Sequence, residues 1–101
     1  MHKAIVRPNE DRRWLEELKA LPFVSSPQKG PRNFWAVQDT GAYDNDCKLG
    51  AYYAAEAVSY MRRFGWAPLL SGIGCSMIER GKQGGIEVGF LMAIADYAER
   101  R

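Results

Sequence analysis

Carboxylates, two thiols and one histidine are the groups in this 101-residue chain that could do chemistry. The histidine is His2, at the N-terminal end, which makes it a poor base for a Ser-His-Asp or Cys-His arrangement. Cys47 and Cys75 stand far apart and have no further cysteines at ligand spacing, so a tetrahedral zinc site has no ligand set. Asp44-Asn45-Asp46-Cys47-Lys48-Leu49-Gly50 has the opening rhythm of a calcium loop. It places Lys48 where an oxygen ligand is needed, and its glycine comes one residue late. Those acids read better as helix-capping groups. The glycines at 72, 74 and from 81 to 89 are not followed by the Lys-Ser/Thr of a phosphate loop. Paired carboxylates are left, Glu56 with Glu79 or Glu87, or Glu79 and Glu87 across one cleft, for general acid–base work. Surface and capping roles explain the same residues. The chain is therefore expected not to be an enzyme, with no cofactor and no metal.

Binding is the alternative to catalysis, and the aromatic residues direct it. Tyr52, Tyr53 and Tyr60, with Trp35 and Trp66, are a large aromatic load for this length, and most of it is needed for a core. An exposed Phe34, Trp35 or Trp66 would be an interface anchor, because Trp, Tyr and Arg dominate interface energies. The stretch from Ser25 to Tyr43 holds Phe34 and Trp35 beside Lys29, Arg32 and Asp39. Lys29, Arg32, Phe34 and Trp35 are thus the candidate partner-binding edge, with Arg62 and Arg63 as a second basic patch.

The net charge is only +2. Residues 1–35 carry seven basic against four acidic residues, and residues 36–65 carry three against four. A nucleic-acid binder concentrates its basic residues on one face. Here they are interleaved with acids, so a protein partner is favoured over nucleic acid. Residues 1–8 have charge but no apolar core, unlike a secretion signal. No apolar run approaches the ~18 residues that span a bilayer. A cytoplasmic protein without a membrane partner, its cysteines reduced, is expected. Self-association stays open.

The elements that must position these residues are mostly helical. Lys3 to Arg7 reads as an extended segment stopped by Pro8. Asn9 then caps a helix running to about Leu21, with Trp14, Leu15, Leu18 and Leu21 as its apolar stripe. Pro22, Pro27, Gly30 and Pro31 break any period in residues 22–45, where Asn33 to Gln38 reads as a short strand. Asp44, Asn45 or Asp46 caps a second helix reaching Phe64, and Gly65 ends it. Pro68 opens a third helix, Leu69 to Arg80, with Cys75 packed as a small hydrophobe. Gly81 closes it, and a fourth runs from about Gly85 to Glu99. Gly81, Gly85 and Gly89 recur every four residues, which predicts a hairpin whose backbones approach closely, helix four lying on helix two or three. The expected fold is mainly α: one domain over residues 1–101, a compact three- to four-helix unit with a long irregular loop and room for a short β-hairpin.

Three blocks carry a resemblance: Asn45 to Gly50 leading into Ala54-Ala55-Glu56, then Met77 to Gly81, then Gly85 to Phe90. Together they resemble small accessory proteins of bacteriophages and integrative elements of proteobacteria, over residues 45–98. The resemblance implies a protein that binds a host protein in the bacterial cytoplasm, as a stoichiometric inhibitor with anti-CRISPR or other anti-defence action. It transfers no catalytic residue. The rival readings are a DNA- or RNA-binding regulator with the third helix as recognition helix, and a small enzyme using Glu79 and Glu87.

Overall fold

The structure, a computed structural model, describes residues 11–100. His2, the extended segment at Lys3–Arg7 and the Asn9 cap lie outside the described residues. Four helices follow in order: α1 Asp11–Ala20, α2 Tyr43–Phe64, α3 Pro68–Arg80 and α4 Gly85–Glu99. The sequence places α2 to α4 to within a residue or two because their ends are punctuated. Gly65 and Gly81 end α2 and α3 with φ of 62° and 67°, the left-handed conformation that a side chain resists, and their N–H groups return to Met61 O and Met77 O. Pro68 takes the first turn of α3, where no N–H is needed.

The start of α2 differs from expectation. Ala42 is its N-cap residue, and no side chain caps it. Asp46 instead turns back on the incoming chain, accepting the Thr40 N–H at 2.8 Å and the Thr40 hydroxyl at 2.7 Å. It is buried, so it fixes the end of the preceding loop rather than the helix end.

The close backbone approach lies between α2 and α4, one of the two packings expected, and not within the α3–α4 hairpin. The two helices run parallel. Gly85 lies against Tyr43 and Asp46, Gly89 against Cys47, and Tyr97 under Arg62 further along. Gly50 completes the contact from α2. A Cβ at Gly89 would run into the Cys47 carbonyl, one at Gly50 into the Ile86 carbonyl, and one at Gly85 would sit 2.8 Å from the Asp46 Cβ. Between α3 and α4 there is little backbone contact, so the two diverge from the Gly81–Gly84 turn.

The space between α3 and the α2–α4 pair is filled by the irregular segment from Leu21 to Ala42. Among the described residues no strand forms. The expected strand at Asn33–Gln38 reduces to one antiparallel bridge, Ser25 with Asn33. Phe23 and Trp35 carry the packing, both fully buried. Trp35 meets Phe90 edge-on at 4.8 Å, Tyr53 at 6.0 Å and Phe23 at 5.9 Å. Leu18, Leu69, Ile73, Ile86 and Tyr60 close the core around this aromatic cluster.

Candidate functional site

The irregular segment is held from inside. Trp35 Nε1 donates to Glu87 Oε2 at 2.7 Å, and the Gly84 N–H donates to Glu87 Oε1 at 2.8 Å. Arg80 pairs with the same Glu87 carboxylate and reaches Asp39 at 3.3 Å, and Lys82 also pairs with Asp39. Ser76 on α3 accepts the Phe34 N–H at 3.0 Å. One acid, Glu87, therefore ties α4, α3 and the loop together. Burial alone would push its carboxyl up. The bonds from Trp35 and Gly84 and the Arg80 charge outweigh that and hold it below its ordinary value. The Asp39 carboxyl is held down chiefly by the Lys82 hydrogen bond, against a smaller effect of burial. A carboxylate so fully engaged by donors is a structural anion rather than a proton carrier.

The outer end of the segment is shaped as a closed tip. Ser25 and Asn33 exchange N–H···O bonds at 2.8 Å in both directions, and the Ala36 N–H donates to Phe23 O at 2.7 Å. Between them, Ser26 to Pro31 form an exposed loop containing Pro27 and Gly30, whose φ is +92°, and Arg32 behind it is half-buried. Arg32 Nε donates to Ser26 Oγ at 2.8 Å across the base of this tip. Its guanidinium lies 6.0 Å from the centre of the half-buried Phe34 ring, which itself covers Gly72 of α3. Lys29 is exposed, and among the described residues neither Lys29 nor Arg32 has a carboxylate partner.

Of the residues expected to bind a partner, the structure brings some together and separates others. Arg32 and Arg63 share the neighbourhood of Tyr60. Burial and then the Glu17 charge push the Tyr60 phenol up to about 12, and Arg32 and Arg63 both oppose that rise. Arg63 also pairs with Glu17. Arg62 leaves this group and lies over the Tyr97 ring, 5.9 Å from its centre. Trp35 is 1% exposed and is a core residue, so it is no part of a contact surface. The reason is its place opposite Glu87 and Phe90, both supplied by the last helix. Lys29, Arg32, Arg63 and the exposed edge of Phe34 remain as a basic rim.

The carboxylate pair is also taken apart. Glu87 borders an open apolar cleft between α3 and α4, of about 510 Å³, walled by Met77, Ile78, Val88 and Leu91. Glu79 is exposed and borders a smaller depression beside Ser76 and Arg80, of about 300 Å³. The α3 side chains considered for base reading are partly committed, Ser76 to Phe34 and Arg80 to its two acids. Cys75, expected in the packing, faces solvent instead. Among the described residues no three His, Cys, Asp or Glu stand together as a metal site, and no helix is long and apolar enough to cross a membrane.

Sequence reasoning missed the anchoring roles of Glu87, Asp39 and Asp46; it expected a cleft shared by Glu79 and Glu87, and the cleft between α3 and α4 is bordered by Glu87 without Glu79. One signal for Glu87 was available: a glutamate three residues after Gly84, the position from which an acid reaches back to the N-cap N–H. No family model matches the chain, and no curated protein or solved structure matched it.

Proposed function

We propose that this protein is a non-catalytic binding module that docks an acidic surface of a protein partner on the rim formed by Lys29, Arg32 and Arg63. The observation that carries the reading is the tip from Ser26 to the half-buried Arg32, exposed over residues 26–31 yet braced by the Ser25–Asn33 pair, the Arg32–Ser26 bond and two prolines. A loop ordered before it binds loses less conformational freedom on binding. Lys29 and Arg32, which have no carboxylate partner among the described residues, attract an acidic partner and set its orientation, and Arg63, paired with Glu17, adds to the rim beside them. Few cations, one of them already paired with Glu17, make a weak phosphate-tracking surface, which favours protein over nucleic acid. Carrying over the resemblance of residues 45–98 makes the partner a bacterial host protein, and the outcome of binding inhibition, anti-CRISPR action included.

The test is capture from a nuclease-treated bacterial lysate, with the wild type beside Lys29→Ala/Arg32→Ala. The expected result is a defined protein held by the wild type and lost from the variant, with helical circular dichroism unchanged. Capture that disappears with nuclease, or that survives in the folded variant at full strength, overturns the reading.

A further inference from the structure

The Ser26 hydroxyl sits where a covalent charge would be both reachable and held. Ser26 and Pro27 are exposed and belong to no helix or bridge. A residue that precedes proline is pushed into extended backbone, the shape in which a chain lies along the cleft of another protein. Exposed hydroxyls elsewhere among the described residues are less open to chemistry. Ser25 exchanges both backbone bonds with Asn33, the Thr40 hydroxyl is engaged by Asp46, and Ser59 and Ser71 stand on helices. The Ser26 Oγ already has a cation against it, the Arg32 Nε at 2.8 Å. Phe34 lies beside that guanidinium, whose remaining N–H groups have no partner among the described residues. Lys29 follows Ser26 by three residues, and from Leu18 to Gln38 the sequence has no acid. Glu17, near Tyr60 as Arg32 is, is taken by Arg63.

We propose that Ser26 is a phosphorylation site, modified by a serine/threonine protein kinase with ATP, and that its phosphate is held by Arg32 and Lys29 and closes the basic rim. Closing the rim rests on the reading of that rim as the docking surface; the acceptor and the cations that hold it do not. In the transfer, the Ser26 Oγ attacks the γ-phosphorus of ATP. An O–P bond forms as the bond from that phosphorus to the β–γ bridging oxygen breaks, ADP leaves, and the hydroxyl proton passes to the kinase's catalytic base. Pro27 selects a proline-directed kinase, because a residue without an N–H enters an apolar slot with no donor left unpaired. The phosphate carries roughly −2 charge at neutral pH and strong acceptor oxygens. A guanidinium bonded to Oγ is within reach of oxygens one phosphorus beyond it, and arginine holds phosphate through paired N–H···O bonds. Roughly −2 set against Lys29 and Arg32 removes the local excess of positive charge, and with it the pull on an acidic partner.

The test incubates the folded chain with a proline-directed serine/threonine kinase and radiolabelled ATP. The expected result is a label on the wild type that Ser26→Ala loses. Phosphorus NMR then reads the second ionisation of the phosphate. Beside Arg32 it should titrate about half a pH unit or more below its ordinary value of ~6, return to that value in Arg32→Ala and fall again in part in Arg32→Lys. A hydroxyl that is merely exposed would take the label without this shift. The labelled chain should also hold about tenfold less of the protein that the unmodified chain captures from nuclease-treated lysate. No label on the folded wild type, a label that persists in Ser26→Ala, a wild-type phosphate at its ordinary value, or undiminished capture each overturns the proposal. An unmodified chain that captures nothing overturns the basic-rim reading instead, and the labelling and the titration still decide the phosphate site.

Discussion

Trp35 and Glu87, fifty-two residues apart in the chain, are joined by a buried hydrogen bond of 2.7 Å, and that bond decides what the irregular segment is. It converts residues 21–42 from a loop over the surface into the layer that α3 rests on. The indole has no other acceptor, and Arg80 shares the same carboxylate.

Removing the carboxylate therefore strands the Trp35 indole and the Gly84 N–H and leaves Arg80 with Asp39 alone. Glu87→Ala is expected to destabilise by about 3 kcal/mol, the lower end of the cost of leaving one partner of a buried ion pair unmatched. Glu87→Gln, which keeps the shape and an acceptor for Trp35, should cost less. Urea unfolding followed by tryptophan fluorescence measures both, and equal stability of wild type and Glu87→Ala would show that the anchor is dispensable.

Acid should act through the same group. The folded Glu87 carboxyl titrates below its ordinary value of 4.5, so the folded state binds its proton less tightly than the unfolded chain. The stabilisation is complete above pH 4.5 and is lost as the pH falls through the lower folded value. Asp39 adds in the same direction below 3.8. Melting temperatures measured between neutral pH and pH 3 should fall in this window, and the slope should shrink in Glu87→Gln.

Alkali acts with the opposite sign through Tyr60. Its phenol is raised from 10 to about 12, so its contribution is complete below pH 10 and is lost as the pH rises toward 12. Tyr53, raised by burial, and Tyr43, raised beside Cys47, also titrate late, so an ultraviolet phenolate titration should lose one of its late tyrosines in Tyr60→Phe.

Two helical glycines should respond oppositely to alanine. Gly89→Ala pushes a methyl into the Cys47 backbone, which has no side chain to move aside, and should cost about 3 kcal/mol, the upper end of ordinary overpacking. Gly74 has nothing within 4 Å of its would-be Cβ, so Gly74→Ala should gain roughly 0.5–1 kcal/mol from helix propensity. Thermal melts of the two variants decide this, and a stable Gly89→Ala would mean that α2 and α4 are further apart than described.

Helix ends were legible because Gly65, Gly81 and Pro68 act locally, through the backbone of their own turn. The glycine period of α4 was legible as a close approach but not as an address. It marks one wall of a contact, and the other wall is Gly50, a lone glycine among alanines and tyrosines that carries no period of its own. Trp35 was misjudged for a related reason. Between Pro31 and Gly41 there is no periodicity to tell inside from outside, and its burial is dictated by Glu87 and Phe90, which arrive from the far end of the chain. The exposure of Lys29 and Arg63 was legible because cations in a proline-rich stretch or at a helix end have few ways to be buried.

The parallel contact of α2 and α4 also sets the order in which this molecule can come together. α4 is made after α2 and α3, yet it supplies the backbone wall for Gly50, the acceptor for Trp35 and the ring beside it. No native core can close around the indole until α4 arrives. The fold thus depends on distant pairings despite being helical, and distant pairings slow folding. A chain paused after Arg80 would leave Trp35, Tyr53 and Ile73 exposed together, the kind of apolar surface that folding helpers recognise and that aggregates when crowded.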